Sequence, residues 1–111
     1  YNTITPEDIG LLVKGLAKKT IENPGDCDSM IDIMKRQQYN TKLPRYLPAE
    51  ATCAHKTGEV RNVTHDAGII TGPGVDFVIV CLSQKVPDVS VGNDVIGKVA
   101  KWAYDLFAQS I

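Results

Sequence analysis

The 111-residue chain has no apolar run long enough to cross a bilayer, and no signal peptide is visible at its start. Its 12 basic and 13 acidic residues are dispersed, so neither a nucleic acid nor an anionic membrane is expected as a partner. Internal repeats, low-complexity segments and linkers are missing too. The chain opens at Tyr1 rather than methionine, which favours a processed or truncated piece. We expect residues 1–111 to form a single, partial domain.

Cysteine is scarce and odd in number, and the spacing of Cys27, Cys53 and Cys81 matches no metal site. Cys53 and Cys81 lie inside apolar, strand-like runs, a setting typical of buried free thiols. The sequence gives no sign of a metal or another cofactor, and none is expected.

Three helices are predicted. The first begins at Thr5, a capping hydroxyl followed by proline and two acids, and Asn23-Pro24-Gly25 is predicted to end it. A second, shorter helix is predicted over residues 28–37. A long amphipathic helix is predicted to begin near Asn93, a good cap. The apolar stripe of the first helix has helical spacing and consists of Ile9, Leu12, Val13, Leu16 and Ala17.

Three strands are predicted between the second and third helices, over residues 51–58, 63–71 and 76–83. Short turns join them, so consecutive strands should pair as antiparallel hairpins. The third contains FVIVCL, apolar at every position, which indicates burial on both faces. Residues 39–48 carry two prolines and no periodicity, and we expect a loop laid over the surface. The predicted fold class is α+β, an antiparallel sheet flanked by helices.

The tripeptide Lys56-Thr57-Gly58 closes the first predicted strand and is the clearest functional signal. A lysine at the rim of a sheet presents a compact positive charge to a carboxylate, and the threonine hydroxyl can donate to the same anion. The glycine removes a side chain that would block an approaching ligand. Alone, the tripeptide is a weak signal, so its interpretation depends on the elements around it.

The order of elements resembles the C-terminal part of the penicillin-recognising serine hydrolases, and most closely the class A β-lactamases. The resemblance covers essentially the whole chain, through TITPEDIGLLVKGL, MIDIMKRQ, YLPAEATCAHKTG and DAGIITGPGVDFVIV. It implies a β-lactam or a peptidoglycan-like small molecule as ligand, and a periplasmic or secreted location.

The resemblance also implies the roles of four residues. Lys56 and Thr57 would bind the substrate carboxylate, and Lys56 would support proton transfer near the nucleophile. Gly58 would leave space for the substrate, and the backbone N–H of Glu59 would be one oxyanion-hole donor. His55 and Asp66 are expected to be structural.

The family nucleophile, a serine three residues before a lysine, is missing, since no serine here has that spacing. Ser-Asp-Asn and the glutamate-bearing deacylation loop are missing as well, and in the family they lie upstream. This chain alone is therefore expected not to open a β-lactam, whereas the intact protein would do so through an acyl-serine intermediate.

Two other interpretations stay open. The chain could be a fragment of a peptidoglycan DD-peptidase or transpeptidase, or a non-catalytic ligand-binding module of the same fold. A Ser-x-x-Lys motif in the upstream coding sequence would separate the enzymes from the binding module.

The third strand is expected to be the place where this chain finds a partner. In the family its second neighbour is an N-terminal strand that is missing here, which leaves unpaired backbone groups along an apolar edge. A second copy of the chain, forming a homodimer, or the separate N-terminal portion of the enzyme is expected to cover this edge.

Overall fold

The computed structural model describes residues 4–109, which form three helices and three strands. The elements in chain order are α1 (Pro6–Ala17), α2 (Pro24–Lys35), β1 (Thr52–Val60), β2 (Val63–Gly72), β3 (Val75–Cys81) and α3 (Val89–Gln109). The central strand β2 pairs antiparallel with both β1 and β3. The predicted α+β class with a three-stranded antiparallel sheet is confirmed.

The start of α1 follows the sequence signal closely. The Thr5 hydroxyl accepts a hydrogen bond from the Asp8 N–H at 3.1 Å, and the Asp8 carboxylate accepts one from the Thr5 N–H at 3.2 Å. This reciprocal pair satisfies two of the donors that a helix N-terminus leaves free, and Pro6 occupies the first turn without losing a bond.

The predicted start of α2 is wrong because Asn23 begins that helix instead of ending α1. Its side-chain oxygen accepts from the Asp26 N–H at 2.9 Å, and Pro24 takes the first helical position. The first helix already ends at Ala17, and Lys19 adopts a left-handed backbone with φ 61°. Asparagine followed by proline suits a helix start as well as a stop, and the sequence signal was assigned to the wrong side.

The predicted start of α3 is also displaced, by one turn. Asp88 stands before the helix, and its carboxylate accepts from both the N–H and the hydroxyl of Ser90. These bonds lower the pKa of Asp88. Asn93 lies within the helix and accepts a hydrogen bond from the Thr64 hydroxyl at 2.7 Å, which ties α3 to β2.

Each face of the sheet covers a separate apolar core. Helices α1 and α2 pack on one face, and α3 packs on the other together with the segment that precedes β1. Both faces of β3 are only half-buried, so the predicted burial on both faces holds in part. The α1 side centres on Val13, Ala54 and Ile69, and the α3 side on Leu43, Ile70, Val75, Ile96, Ala100 and Tyr104.

The segment 39–48 was predicted to lie over the surface, but part of it is buried in the core. Leu43 is fully buried in the α3-side core, and Lys42 is only 3% exposed. No apolar period predicts this insertion, because Leu43 and Leu47, which pack in the core, lie among prolines and polar residues. Among the described residues 4–109, no helix is long and apolar enough to cross a membrane.

We predict that Cys53 and Cys81 stay unpaired and react slowly in the folded chain. Their strands lie on opposite sides of β2, and both thiols are free. Burial, with a smaller effect of the Asp66 charge, raises the pKa of Cys53 to about 12 and that of Cys81 to about 11. Alkylation by iodoacetamide at pH 8 should be slower than in denaturant by on the order of a hundredfold or more. A mapped Cys53–Cys81 crosslink would contradict the strand order.

Candidate functional site

The residues Lys56 to Glu59 lie on an outer strand, since β1 pairs only with β2 among the described residues. The strand continues past Gly58 to Val60, so Glu59 belongs to β1 and not to the turn that was predicted there. Side chains alternate along a strand, and Lys56 therefore faces the α1 side while Thr57 and Glu59 face the α3 side. Side chains from both faces of the sheet could therefore contact a ligand that lies along the free edge of β1.

The backbone groups at this edge are oriented by a contact that the sequence did not predict. The Lys42 ammonium donates to the carbonyl oxygens of Gly58, at 3.4 Å, and His65, at 3.1 Å. His65 lies opposite Gly58 in β2, and one ammonium can contact both carbonyl oxygens only when each points toward the other strand, so the Gly58 carbonyl points toward β2. In a trans peptide the following N–H points the opposite way, and the N–H of Glu59 therefore faces the free edge.

The Lys56 ammonium lies at the same edge. It donates to the carbonyl oxygen of Thr57 at 2.5 Å, and its side chain is exposed. The carbonyl of Thr57 points away from β2, because backbone groups alternate with those of Gly58. The structure thus brings a lysine cation and the outward N–H of Glu59 to one stretch of edge.

Two cavities flank this stretch of β1. One, of about 380 Å³ and largely apolar, lies on the α1 side and includes Lys56, Gly58 and His65 in its lining. The other, of about 270 Å³, lies on the α3 side between Thr57, Glu59 and the preceding segment. The lining of the second cavity is completed by Tyr39, Thr41 and Lys42.

His65 is a further polar group beside Lys56. Its Nδ1 accepts a hydrogen bond from the Ser83 N–H at 3.0 Å, so the neutral ring carries its proton on Nε2. The ring lies beside Gly58, at a distance where an added Cβ would make only ordinary van der Waals contact with it. The imidazole is therefore fixed in one tautomer at the lining of the α1-side cavity.

The buried carboxylate of Asp66 holds His55, the residue directly before the Lys56-Thr57-Gly58 motif. Asp66 is fully buried, and both of its oxygens lie 2.9 Å from His55 Nδ1. It also accepts from the Leu43 N–H at 3.0 Å, and His55 Nε2 lies 3.3 Å from the Asn40 side-chain oxygen. The expectation that His55 and Asp66 are structural agrees with these contacts. They join β1, β2 and the segment before β1.

The contacts of Lys42 and Asn40 were not predicted from the sequence. Both precede β1 in a stretch with no periodicity, and a lysine among polar residues looks like a solvated side chain. The contact of Lys42 with the His65 carbonyl spans 23 residues of sequence, so no local pattern could predict it.

No group of three or more His, Cys, Asp or Glu residues within 4–109 could hold a metal ion.

Comparison with known proteins decides the family. The model of the beta-lactamase enzyme family matches residues 1–107. The chain belongs to this family. No curated protein matches the chain.

Solved structures of the family share the fold. The β-lactamase of Sphaerobacter thermophilus DSM 20745 superposes with a TM-score of 0.89 at 27% identity, over 95% of this chain and 41% of its own. PBP-A superposes with a TM-score of 0.85 at 32% identity, over 97% of this chain and 41% of its own. The β-lactamase of Francisella tularensis, at 19% identity and a TM-score of 0.76, shows the fold alone. The chain spans about two-fifths of the length of these family structures.

We predict that Asp66→Ala destabilises the chain more than removal of an exposed carboxylate. The substitution leaves His55 and the Leu43 N–H without their buried partner, a loss that typically costs about 3 kcal/mol or more. Urea unfolding followed by circular dichroism gives the free energy of unfolding. Asp32→Ala, on an exposed ion pair of α2, is the matched control. Equal losses for the two variants would contradict the structural role of Asp66.

Proposed function

We propose that this chain forms one wall of the active site of a serine hydrolase that opens β-lactams through an acyl-serine intermediate. One arrangement carries the proposal: the exposed Lys56 ammonium lies at the free edge of β1, and the direction of the Gly58 carbonyl implies that the Glu59 N–H faces the same edge. Family membership supports the same chemistry. The Ser-x-x-Lys nucleophile would come from a part of the protein outside residues 1–111.

In this mechanism the substrate lies along β1, and its carboxylate is bound by Lys56 and the Thr57 hydroxyl. The serine oxygen attacks the β-lactam carbonyl, the amide C–N bond breaks, and the serine proton passes to the leaving nitrogen. The Glu59 N–H would stabilise the negative charge that develops on the carbonyl oxygen, and Gly58 leaves the approach open. Water would then release the acyl group.

The similarity to PBP-A supports a second candidate with the same first step. PBP-A matches this chain at a higher identity than the Sphaerobacter enzyme, and a variant of PBP-A has been solved as an acyl-enzyme complex with penicillin G. A peptidoglycan peptidase would form the same acyl-serine but pass the acyl group to water or an amine. For either candidate the substrates lie outside the cytoplasm, so we propose an extracytoplasmic location.

We also propose that the rest of the protein covers the β3 side of this chain. Strand β3 has no second neighbour among the described residues. Beside it lies a groove of about 660 Å³, lined mostly by apolar side chains from β3, α3 and the segment 82–88 that joins them. An exposed apolar stripe follows α3 at helical spacing, through Val91, Val95, Val99, Trp102 and Leu106. The family structures contain more than twice as much chain, enough to supply the cover.

We predict that Lys56→Ala in the intact protein lowers the acylation rate strongly, whereas Thr57→Ala mainly weakens substrate binding. The ammonium supports proton transfer in the transition state, while the hydroxyl contact is made partly in the ground state. Stopped-flow acylation with a chromogenic cephalosporin separates the two constants. Lys98→Met, an exposed lysine of α3, is the control. An unchanged acylation rate for Lys56→Ala would make the motif structural.

We predict that the 111-residue chain self-associates through the β3 side when the rest of the protein is absent. Trp102→Lys and Val95→Lys should shift it toward monomer in light scattering, because both side chains are exposed on the stripe. Tyr39→Lys, at an exposed position in the segment before β1 and outside the α3 stripe, is the matched control. Addition of the N-terminal portion should also dissociate the homodimer. A stable monomer of the unmodified chain, with β3 formed, would contradict this proposal.

A further inference from the structure

Lys42 carries a buried charge that the proposed mechanism does not yet use. Its side chain is 3% exposed, and its ammonium lies 3.3 Å from the Glu59 carboxylate, which is half exposed. The same ammonium contacts the carbonyl oxygens of Gly58 and His65. A lysine is rarely buried unless it is paired, so these three contacts fix its position.

The contact with Gly58 acts on the peptide group that also contains the Glu59 N–H. The carbonyl and the N–H of one peptide are conjugated and point in opposite directions. A cation at the carbonyl oxygen therefore holds the plane of the group and draws electron density from its nitrogen. Both effects make the Glu59 N–H a better oriented and stronger donor, since hydrogen bonds in a chain polarise one another.

We propose that Lys42 is a positioning residue that orients and strengthens the oxyanion donor of this site. It acts from the α3 face of the sheet, through the Gly58–Glu59 peptide. This inference rests on the proposed function. It adds a second lysine to the site, with Lys56 at the free edge of β1 and Lys42 on the α3 face.

The ion pair with Glu59 affects how strongly Lys42 can polarise the Gly58–Glu59 peptide. The carboxylate neutralises part of the ammonium charge, and its own side chain is half exposed to solvent. The carbonyl contacts, in contrast, are enclosed by β1, β2 and the segment before β1. The polarising effect therefore depends on the position of Lys42 more than on the Glu59 side chain.

The test compares the intact protein with its Lys42→Met variant, which keeps the length of the side chain and removes the charge. We expect the acylation rate constant for penicillin G to fall by about tenfold, with the substrate dissociation constant unchanged. In the acyl-enzyme made with carbonyl-labelled penicillin G, the infrared stretch of the ester carbonyl should move to higher wavenumber. A folded variant with an unchanged stretch would overturn the inference.

Two further variants keep the test decisive. Lys98→Met removes an exposed lysine and should leave the carbonyl stretch where it is. Lys42→Arg keeps a cation, so its ester carbonyl stretch should stay close to that of the unmodified protein. If Lys42→Met does not fold, Lys42→Gln provides the neutral comparison, because its amide can still donate to a carbonyl. Equal stretches for the arginine and glutamine variants would also overturn the inference.

A measurement on the 111-residue chain separates this inference from the proposed function. The amide proton of Glu59 should resonate at lower frequency in Lys42→Met than in the unmodified chain, because its nitrogen is less polarised. If the intact protein forms no acyl-enzyme but this shift is seen, the proposed function is wrong and the role of Lys42 in the peptide stands. If acylation occurs and the shift is missing, the inference alone is wrong.

Discussion

The buried carboxylate of Asp66 is the contact on which the arrangement of the site depends. It binds the His55 ring in β1 and the Leu43 N–H in the preceding segment, while Asp66 itself belongs to the central strand. Three parts of the chain that are distant in sequence are thereby held at one point. Leu43 enters the α3-side core and Lys42 reaches the backbone of the motif because this point is fixed.

The elements that the sequence predicted well are those whose signal is local. The cap at Thr5, the alternation of strands and turns, and the long apolar face of α3 each depend on residues within a few positions of one another. The assignment to the penicillin-recognising hydrolases was likewise possible because Lys56-Thr57-Gly58 stands in a strand with a hairpin after it.

The features that were missed are the ones that depend on distant contacts or on ambiguous signals. Asn23 before Pro24 can stop one helix or start the next, and its side-chain hydrogen bond from the Asp26 N–H places it at the start of α2. In the sequence Lys42 resembles a surface lysine, because its contacts with the carbonyls of Gly58 and His65 form only in the folded chain. Glu59 was assigned to a short polar turn between the first two strands, yet the ladder with β2 continues to Val60. Pairing energy from the neighbouring strand outweighed the local preference.

The burial of the thiols has a consequence for the compartment in which this chain could function. Thiolate, not thiol, attacks oxidants and disulfides, so a cysteine whose proton is held to high pH is chemically quiet. Cys53 and Cys81 meet this condition through desolvation, and Cys27 is enclosed completely within its helix packing. The three unpaired cysteines are thereby protected from random disulfide exchange. The folded chain is therefore suited to an oxidising environment, whereas an unfolded chain would expose all three sulfurs to mispairing.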